Sequence, residues 1–146
     1  MSRSHHAAAT FTVTSWDEKV VADLDGRSTE INGVTYPANG FSRADVTYAY
    51  RGDLEGTGTI AYLIAYRDGD TAPGFAFEHV VGSLGGHEGS FLLQHVGEHD
   101  GDGVRMRLSV VEGSGTGGLT GLSGEGEVVL AGHSEDGYPI TLDYDV

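Results

Sequence analysis

The sequence predicts an all-β protein, a single eight-stranded antiparallel β-barrel, and three observations lead to that prediction. Short runs of apolar, aromatic and β-branched residues recur at near-regular spacing, which is typical of sandwiches and barrels. Glycine accounts for 24 of the 146 residues, and much of it falls between those runs, where tight turns and bulges use it. No segment of ten or more residues has a clean helical period. Closing the strands into a barrel removes the exposed edges of an open sheet.

The eight strands can be placed from alternation and from the turns between them. The centre is a hairpin, Phe75 to Gly97, whose two apolar arms are strands four and five and are joined by GGHEG. The other six strands are predicted at Ala9–Trp16, Arg43–Tyr50, Thr59–Tyr66, Val104–Glu112, Glu127–Ala131 and Tyr138–Tyr144. A barrel of eight strands has an interior that holds packed side chains or one small ligand.

The chain is predicted to form one domain, residues 9–146, after a flexible N-terminus of residues 1–8. One segment departs from the regular strand pattern. Residues 26–40 carry two strong turn signals, Asn32-Gly33 and Asn39-Gly40, around a short run at Val34–Tyr36. We expect this segment to form either a small hairpin or a lid, because long loops in compact domains are often functional.

Charge and composition exclude several classes of function. The formal net charge is −14, from 22 acidic and 8 basic residues, so nucleic acids and anionic membrane surfaces are repelled. The absence of cysteine removes disulfides, thiolate metal sites and cysteine nucleophiles. No apolar run approaches the length of a membrane-spanning helix, and the first residues lack the apolar core of a signal peptide. We therefore expect a cytoplasmic protein without nucleic-acid or membrane partners.

The central hairpin carries the candidate catalytic residues Glu78, His79 and His95, with Gln94 beside them. Alternation sorts each arm into two faces, but both faces are partly apolar, so it does not decide which one points inward. We favour Glu78 and Gln94 as inward. A carboxyl group inside a barrel can transfer protons, and a histidine can act as acid, base or orienting group. The alternative is that these are solvated or structural strand residues.

Neither a metal site nor a phosphate site is predicted, and no cofactor is expected. His95 and His99 are about 13 Å apart along an extended strand, too far to share one ion. Residues 100–103, DGDG, resemble the opening of a calcium loop, but the remaining pattern with its closing glutamate is missing. The segment GSGTGGLTGLSGEG lacks the lysine and the following helix of a phosphate loop. We interpret it as a structural connection between strands.

Aromatic residues form a second group of candidates. Those predicted to line a ligand pocket, with Gln94 as a polar contact, are Trp16, Tyr48, Tyr62, Tyr66, Phe77 and Tyr144. Aromatic walls with a few polar tips suit a small, mostly apolar molecule that carries a carbonyl or hydroxyl group. The alternative is ordinary core packing together with an apolar outer stripe that is buried in a homodimer, and we expect such a homodimer.

Several motifs, in order along the chain, resemble those of one known family. They are SWDE, GDLEGTG followed by YLIAY, GSLGGHEGSFLLQHVG, VVEGSGTGGLTGLSGEG and the closing TLDYDV. From about Phe11 to Val146 the chain is similar to the bacterial domain-of-unknown-function family 3224. That family resembles allene oxide cyclase in fold, a calycin-like barrel of eight strands. The stretch around Ile31–Phe41 looks longer than the family pattern.

The resemblance implies a fold but no assigned reaction, because a fold alone does not determine a function. Relatives of that barrel include cyclases of bacterial polyketide pathways. The leading hypothesis is therefore a cofactor-independent cyclase or isomerase of secondary metabolism that acts on a small apolar molecule through acid/base groups in the barrel. A non-catalytic carrier or sensor in the lipocalin manner is one alternative. A structural, self-associating module is the other.

Overall fold

The structure is a computed structural model, and it describes residues 3–31, 34–67, 72–100, 103–131 and 136–146. Over these residues the backbone forms eleven strands: β1 His5–Asp23, β2 Thr29–Ile31, β3 Val34–Tyr36, β4 Gly40–Gly52, β5 Leu54–Tyr66, β6 Ala72–Leu84, β7 His87–Asp100, β8 Gly103–Val110, β9 Thr116–Gly117, β10 Ser123–Leu130 and β11 Tyr138–Asp145. None of the described residues is helical, and so none belongs to a helix that could span a membrane.

Eight of these strands close into a barrel. Each pairs antiparallel with its neighbours in the order β1, β4, β5, β6, β7, β8, β10 and β11, and β11 returns to β1. The short β9 pairs with the first residues of β7, and β2 pairs with β3. The predicted all-β fold, a single eight-stranded antiparallel barrel consistent with a calycin-like barrel, is confirmed.

The strand bounds differ from the prediction most at the two ends of β1. Residues 5–8, which we expected in a flexible N-terminus, are the first residues of β1 and pair with β11. The same strand continues to Asp23, beyond the predicted end at Trp16. The reason is that ladder hydrogen bonds to neighbouring strands decide where a strand ends, and a polar stretch such as residues 17–23 can supply them without an alternating pattern.

The segment at residues 26–40 forms the small hairpin of β2 and β3. Its base is closed by backbone hydrogen bonds, from Leu24 to the carbonyl of Asn39 at 2.8 Å and from Ala38 to that of Arg27 at 3.2 Å. The Asn32-Gly33 turn lies outside the described residues. Of the two alternatives, the hairpin is therefore present, and residues 26–28, 30 and 37–40 do not line the interior cavity.

A β-bulge in β1 sets the direction of the residues that follow it. The pairing of β1 with β4 shifts by one residue at Thr14, and such a shift exchanges the two faces of the strand. Phe11, before the bulge, is buried inside the barrel. Trp16, after the bulge, lies directly opposite the buried Val46 and so shares its inner face.

The glycine-rich connection closes one end of the barrel. Residues 111–122 lie against the start of β7, and Leu119 and Leu122 are almost completely buried there. Gly89 permits this contact, because a Cβ at that position would lie 2.0 Å from the carbonyl oxygen of Thr116. The connection therefore acts as a plug, which we define as Leu119 and Leu122, at the end where β6 turns into β7.

The outer face of the barrel over the middle of β5, β6 and β7 carries no Asp, Glu, Lys or Arg side chain. The outward residues between 57 and 65, 75 and 83, and 90 and 96 include no Asp, Glu, Lys or Arg. Phe77 is 48% exposed, and Leu63 and Val96 are exposed near it. Uncharged apolar patches of this kind are typical of surfaces that contact another molecule. The homodimer that would cover this face stays a prediction.

Candidate functional site

A cavity of about 340 Å³ opens at the barrel end opposite the plug. Its described lining residues come from seven of the eight barrel strands and include no Asp, Glu, Lys or Arg. They are mostly apolar or aromatic: Phe11, Val13, Trp16, Tyr48, Tyr62, His95, His99, Gly103, Val104, Met106, Val128, Leu130, Tyr138 and Ile140. This size and composition are typical of a site for a small organic molecule.

Glu78 lies behind the wall of this cavity and is completely buried. Its Oε1 accepts a hydrogen bond from Nε2 of His95 at 2.7 Å, and its Oε2 accepts one from the hydroxyl of Tyr50. Space for the carboxyl group depends on Gly58 of the neighbouring β5, because a Cβ there would lie 1.9 Å from Oε2. Burying such a group is costly unless it is hydrogen-bonded, and here both oxygens are.

His95 connects this carboxyl group to the cavity. With Glu78 ionised, its oxygens can only accept hydrogen bonds, so Nε2 of His95 carries the shared hydrogen and Nδ1 is the acceptor of the neutral ring. Among the described residues, every side-chain nitrogen or oxygen that is closed to solvent has a hydrogen-bond partner. Nδ1 of His95 has no such partner. Nδ1 therefore lies where the cavity reaches it, and it can accept a hydrogen bond or a proton from a ligand.

Tyr48 and Tyr62 supply the hydrogen-bond donor of the cavity. Their hydroxyl oxygens are 2.7 Å apart, and the pair uses only one of its two hydrogens for that bond. The second hydrogen is available to a ligand, since both side chains line the cavity. The rings of Tyr62 and His95 also pack against each other at a steep angle, with centroids 5.8 Å apart, so the side chains that carry donor and acceptor are in contact.

High pH is expected to unfold the barrel through its buried tyrosines. Burial is the main cause that raises the pKa of Tyr48, Tyr50 and Tyr62 above 10, the ordinary value. The folded state keeps these protons while the unfolded chain releases them, so stability is full below pH 10 and is lost as the pH rises further. Phenolate absorbance and circular dichroism, recorded together against pH, should show these tyrosines titrating only as the sheet is lost. Titration of all 7 tyrosines with an intact sheet would contradict this expectation.

The mouth of the cavity is organised by Trp16 and Glu18. The indole of Trp16 stacks on Tyr62 at 6.0 Å between ring centroids, and its Nε1 donates to Oε1 of Glu18 at 3.1 Å. Oε2 of Glu18 accepts hydrogen bonds from Tyr66 at 2.6 Å and from Ser42. These contacts hold the indole at the mouth, where it remains 40% exposed.

Five of the predicted site residues are brought together by the fold. Trp16, Tyr48, Tyr62 and His95 line the cavity, and Glu78 lies directly behind His95. The prediction that Glu78 faces inward is confirmed by its burial. The roles that we assigned to these residues, catalytic or ligand-binding, stay predictions.

The other predicted site residues do not reach the cavity. The inward orientation of Gln94 is wrong, because Glu78 pairs with Leu93, which turns Gln94 outward. His79 and Phe77 are likewise exposed on the outer face.

Two predicted aromatic residues are inside or at the rim of the barrel without lining the cavity. Tyr144 is buried near the opposite end, where it stacks on His5 at 5.1 Å. Tyr66 lies at the rim with its hydroxyl bound to Glu18.

Two residues that shape the site were missed by the sequence reasoning, Tyr50 and Gly58. A signal for Tyr50 exists in β4, where the polar Arg43, Asp45 and Thr47 alternate with apolar residues that end at Tyr50. That alternation fixes the inner face of β4. No comparable signal marks Gly58, since one glycine among the many turn glycines does not reveal a close approach.

The described side chains were searched for clusters that could hold a metal ion. Among the residues that the structure describes, no group of three or more His, Asp or Glu could hold a metal ion. His99 does line the cavity together with His95, but two ligands without a third do not make a metal site of the usual kind.

Comparison with known proteins identifies relatives but no reaction. The sequence profile of the family described as "Protein of unknown function (DUF3224)" matches residues 7–144. A similar solved structure is the crystal structure of a protein of unknown function from the same family of Shewanella oneidensis MR-1. It is 26% identical, the match covers 94% of this chain and 96% of that chain, and the TM-score is 0.65. No curated protein matches the chain. The likeness to allene oxide cyclase stays a prediction.

Proposed function

Because the chain belongs to the DUF3224 family, which is described as being of unknown function, we propose its function from the geometry of the cavity. The barrel binds a small, mostly apolar molecule and acts on it as a cofactor-independent isomerase or cyclase. The observation that carries this proposal is His95, which is held at Nε2 by the buried Glu78 and presents Nδ1 to the cavity.

Binding is supported by the contrast between the walls of the cavity and its polar groups. Most of the lining is aliphatic or aromatic, so an apolar molecule gains free energy by leaving water for this space. The polar groups that face the ligand are few and converge, since the hydroxyl pair of Tyr48 and Tyr62 lies beside His95. Such an arrangement orients a ligand by one polar end while its apolar body fills the rest of the cavity.

The proposed chemical step is a proton transfer between two carbon atoms of the ligand. Nδ1 of His95 takes a proton from a carbon next to a carbonyl group, the C–H electron pair forms a C=C bond, and the carbonyl π pair moves to oxygen. A hydroxyl of the Tyr48 and Tyr62 pair donates to that oxygen as its charge develops. In a ligand with a C=C bond between its β and γ carbons, the pair on oxygen then re-forms the carbonyl, and the first C=C pair forms a double bond between the α and β carbons. The former β,γ pair takes the proton back from His95 at the γ carbon. The step needs no oxidant or reductant, because the ligand loses one proton and regains one.

Glu78 acts on this step through His95 rather than by touching the ligand. Its Oε1 fixes the orientation of the ring, and its carboxyl group stabilises the imidazolium that exists between the two proton transfers. Tyr50 in turn holds the other carboxyl oxygen. Glu78 is therefore a positioning residue, and His95 is the proposed catalytic residue.

Deuterium uptake by a ketone tests the proposal. The probe is tetralone, a bicyclic ketone with acidic C–H bonds, incubated with the protein in deuterated water and followed by NMR. We expect the protein to accelerate uptake and His95→Gln, which keeps a donor for Glu78, to lower the acceleration about 100-fold or more. The matched control is His79→Gln on the outer face, which should leave the rate unchanged. Equal acceleration by wild type and His95→Gln would overturn the proton-transfer step.

A carrier or sensor would use the same cavity without turnover, and binding measurements separate the two functions. Trp16 is the only tryptophan of the chain and lies at the cavity mouth, so its fluorescence should change when tetralone binds. Binding without deuterium uptake above the uncatalysed rate would favour the carrier. Lack of binding by tetralone, together with no co-purifying small molecule in native mass spectrometry, would overturn both functions.

A further inference from the structure

We infer that the cavity selects neutral ligands whose polar group is a phenol or an enol, or a carbonyl that can become an enol, and that it rejects carboxylates. This inference rests on the proposed function and names the class of molecule that the same site takes. The observation behind it is the pairing of one acceptor, Nδ1 of His95, with one donor, the spare hydroxyl hydrogen of Tyr48 and Tyr62.

A single hydroxyl group on the ligand satisfies both polar groups at once. Its hydrogen is donated to Nδ1 of His95, and its oxygen accepts the hydrogen of the tyrosine pair. The side chains that carry the two groups are in contact, because the rings of Tyr62 and His95 pack with centroids 5.8 Å apart. A carbonyl oxygen fills the accepting position alone, and its enol form fills both.

An anionic group would meet no permanently charged cation in the cavity. The described lining residues include no lysine or arginine, and the nearest carboxyl group, Glu78, lies directly behind His95. Glu18 stands at the mouth, and the whole chain carries a formal charge of −14. A carboxylate would therefore lose its hydration in an apolar space that is surrounded by negative charge.

A cationic group is also excluded, because it cannot reach a carboxylate from within the cavity. The oxygens of Glu78 are occupied by His95 and Tyr50, and Glu78 is not among the residues that line the cavity. A cation in the cavity would face the neutral acceptor of His95 but no carboxylate. The remaining class is a neutral oxygen-bearing molecule, and the aromatic rings of Phe11, Tyr48 and Trp16 favour a flat body for it.

Three ligands with one ring system test the inference on the unaltered protein. Equilibrium dialysis is performed with naphthalene, naphthol and naphthoate, which differ only in the polar group. We expect naphthol to bind at least about tenfold more tightly than either of the others.

The possible outcomes separate this inference from the proposed function. Naphthoate binding as tightly as naphthol at neutral pH would overturn the exclusion of carboxylates while leaving small-molecule binding intact. Naphthalene binding as tightly as naphthol would overturn the role of the polar pair. No binding by any of the three would overturn the proposed function itself.

Two variants check that the tyrosine hydroxyls are the groups concerned. In the double variant Tyr48→Phe/Tyr62→Phe, naphthol should lose about tenfold in affinity while naphthalene loses none. The matched control is Tyr66→Phe, which removes a hydroxyl that is bound to Glu18 at the rim, and it should leave naphthol binding unchanged. Equal naphthol affinity in the double variant and the wild type would overturn the inference.

Discussion

Replacing Glu78 with alanine should destabilise the barrel by about 3–5 kcal/mol, the usual consequence of removing one partner from a buried polar pair. The substitution leaves the hydroxyl of Tyr50 and Nε2 of His95 without their acceptor in a region closed to bulk water. It also opens a void where the carboxyl group was, which adds the loss of packing contacts. Urea unfolding followed by circular dichroism measures the change, provided that the slope of the unfolding free energy against urea concentration is the same in both proteins.

The matched variant for this prediction is Glu78→Gln. The amide has nearly the same shape as the carboxyl group, and its oxygen can still accept one hydrogen bond. We expect a loss of about 1–2 kcal/mol, because one of the two acceptor positions becomes a donor. A loss for Glu78→Ala no larger than that for Glu78→Gln would show that the hydrogen bonds of Glu78 contribute little to stability.

Replacing Gly58 with alanine should cost about 3 kcal/mol, at the upper end of the usual effect of overpacking. The new Cβ would lie 1.9 Å from Oε2 of Glu78, 2.9 Å from its carboxyl carbon and 3.1 Å from the ring of Tyr50. The carboxyl group is tied to Tyr50 and His95, so it cannot move away without breaking those bonds. Thermal and urea unfolding measure the effect.

Gly74→Ala is the control for that substitution. Gly58 and Gly74 are both buried strand glycines, but a Cβ at Gly74 would first meet the methyl group of Met106, at 3.3 Å. That methyl is the end of a flexible side chain and can yield, so we expect a change below about 1 kcal/mol. Similar losses in the two variants would mean that the clash with Glu78 does not cause the effect.

A double-mutant cycle assigns the effect of Gly58→Ala to Glu78. In a background that carries Glu78→Ala, the new methyl group enters the space that the carboxyl group left. The cost of Gly58→Ala should then fall to near zero, a coupling of about 2–3 kcal/mol between the two positions. Additive losses would contradict the contact that the structure shows.

The strands of this barrel could be predicted because glycine-rich turns and alternation agree along most of the chain. In β4, for example, polar Arg43 and Asp45 alternate with Ala44 and Val46, and only one face can then point inward. The plug could not be predicted in the same way. Leu119 and Leu122 are two apolar residues in a glycine-dense segment, and their burial depends on a distant strand.

The site was harder to predict because β6 reverses the usual rule that large apolar side chains point inward and charged side chains point outward. Phe75 and Phe77 point outward, whereas Ala76 and Glu78 point inward. On the inner face, the small Ala76 lies directly opposite the large Tyr62 of β5, and both are buried. The neighbouring strands decide which face of a strand points inward. The alternation within one strand carries no information about those neighbours.

The bulge at Thr14 explains a second limit of the sequence pattern. Simple alternation over Ala9–Trp16 puts Phe11 and Trp16 on opposite faces, whereas the bulge puts both on the inner face. A single extra residue does not change the composition of the strand. Trp16 could therefore be predicted to line a pocket because it is aromatic, but its position at the mouth could not be predicted.

Because Leu119 and Leu122 close the far end of the barrel, a ligand would enter and leave through the same mouth, past Trp16. Its polar head must enter first to reach His95, and its tail then occupies the mouth or protrudes into water. The cavity should therefore discriminate strongly between ligands with different polar groups and only weakly between ligands whose apolar parts differ in length. In the proposed reaction, the product would have to leave before the next substrate could enter, so accumulated product would act as a competitive inhibitor.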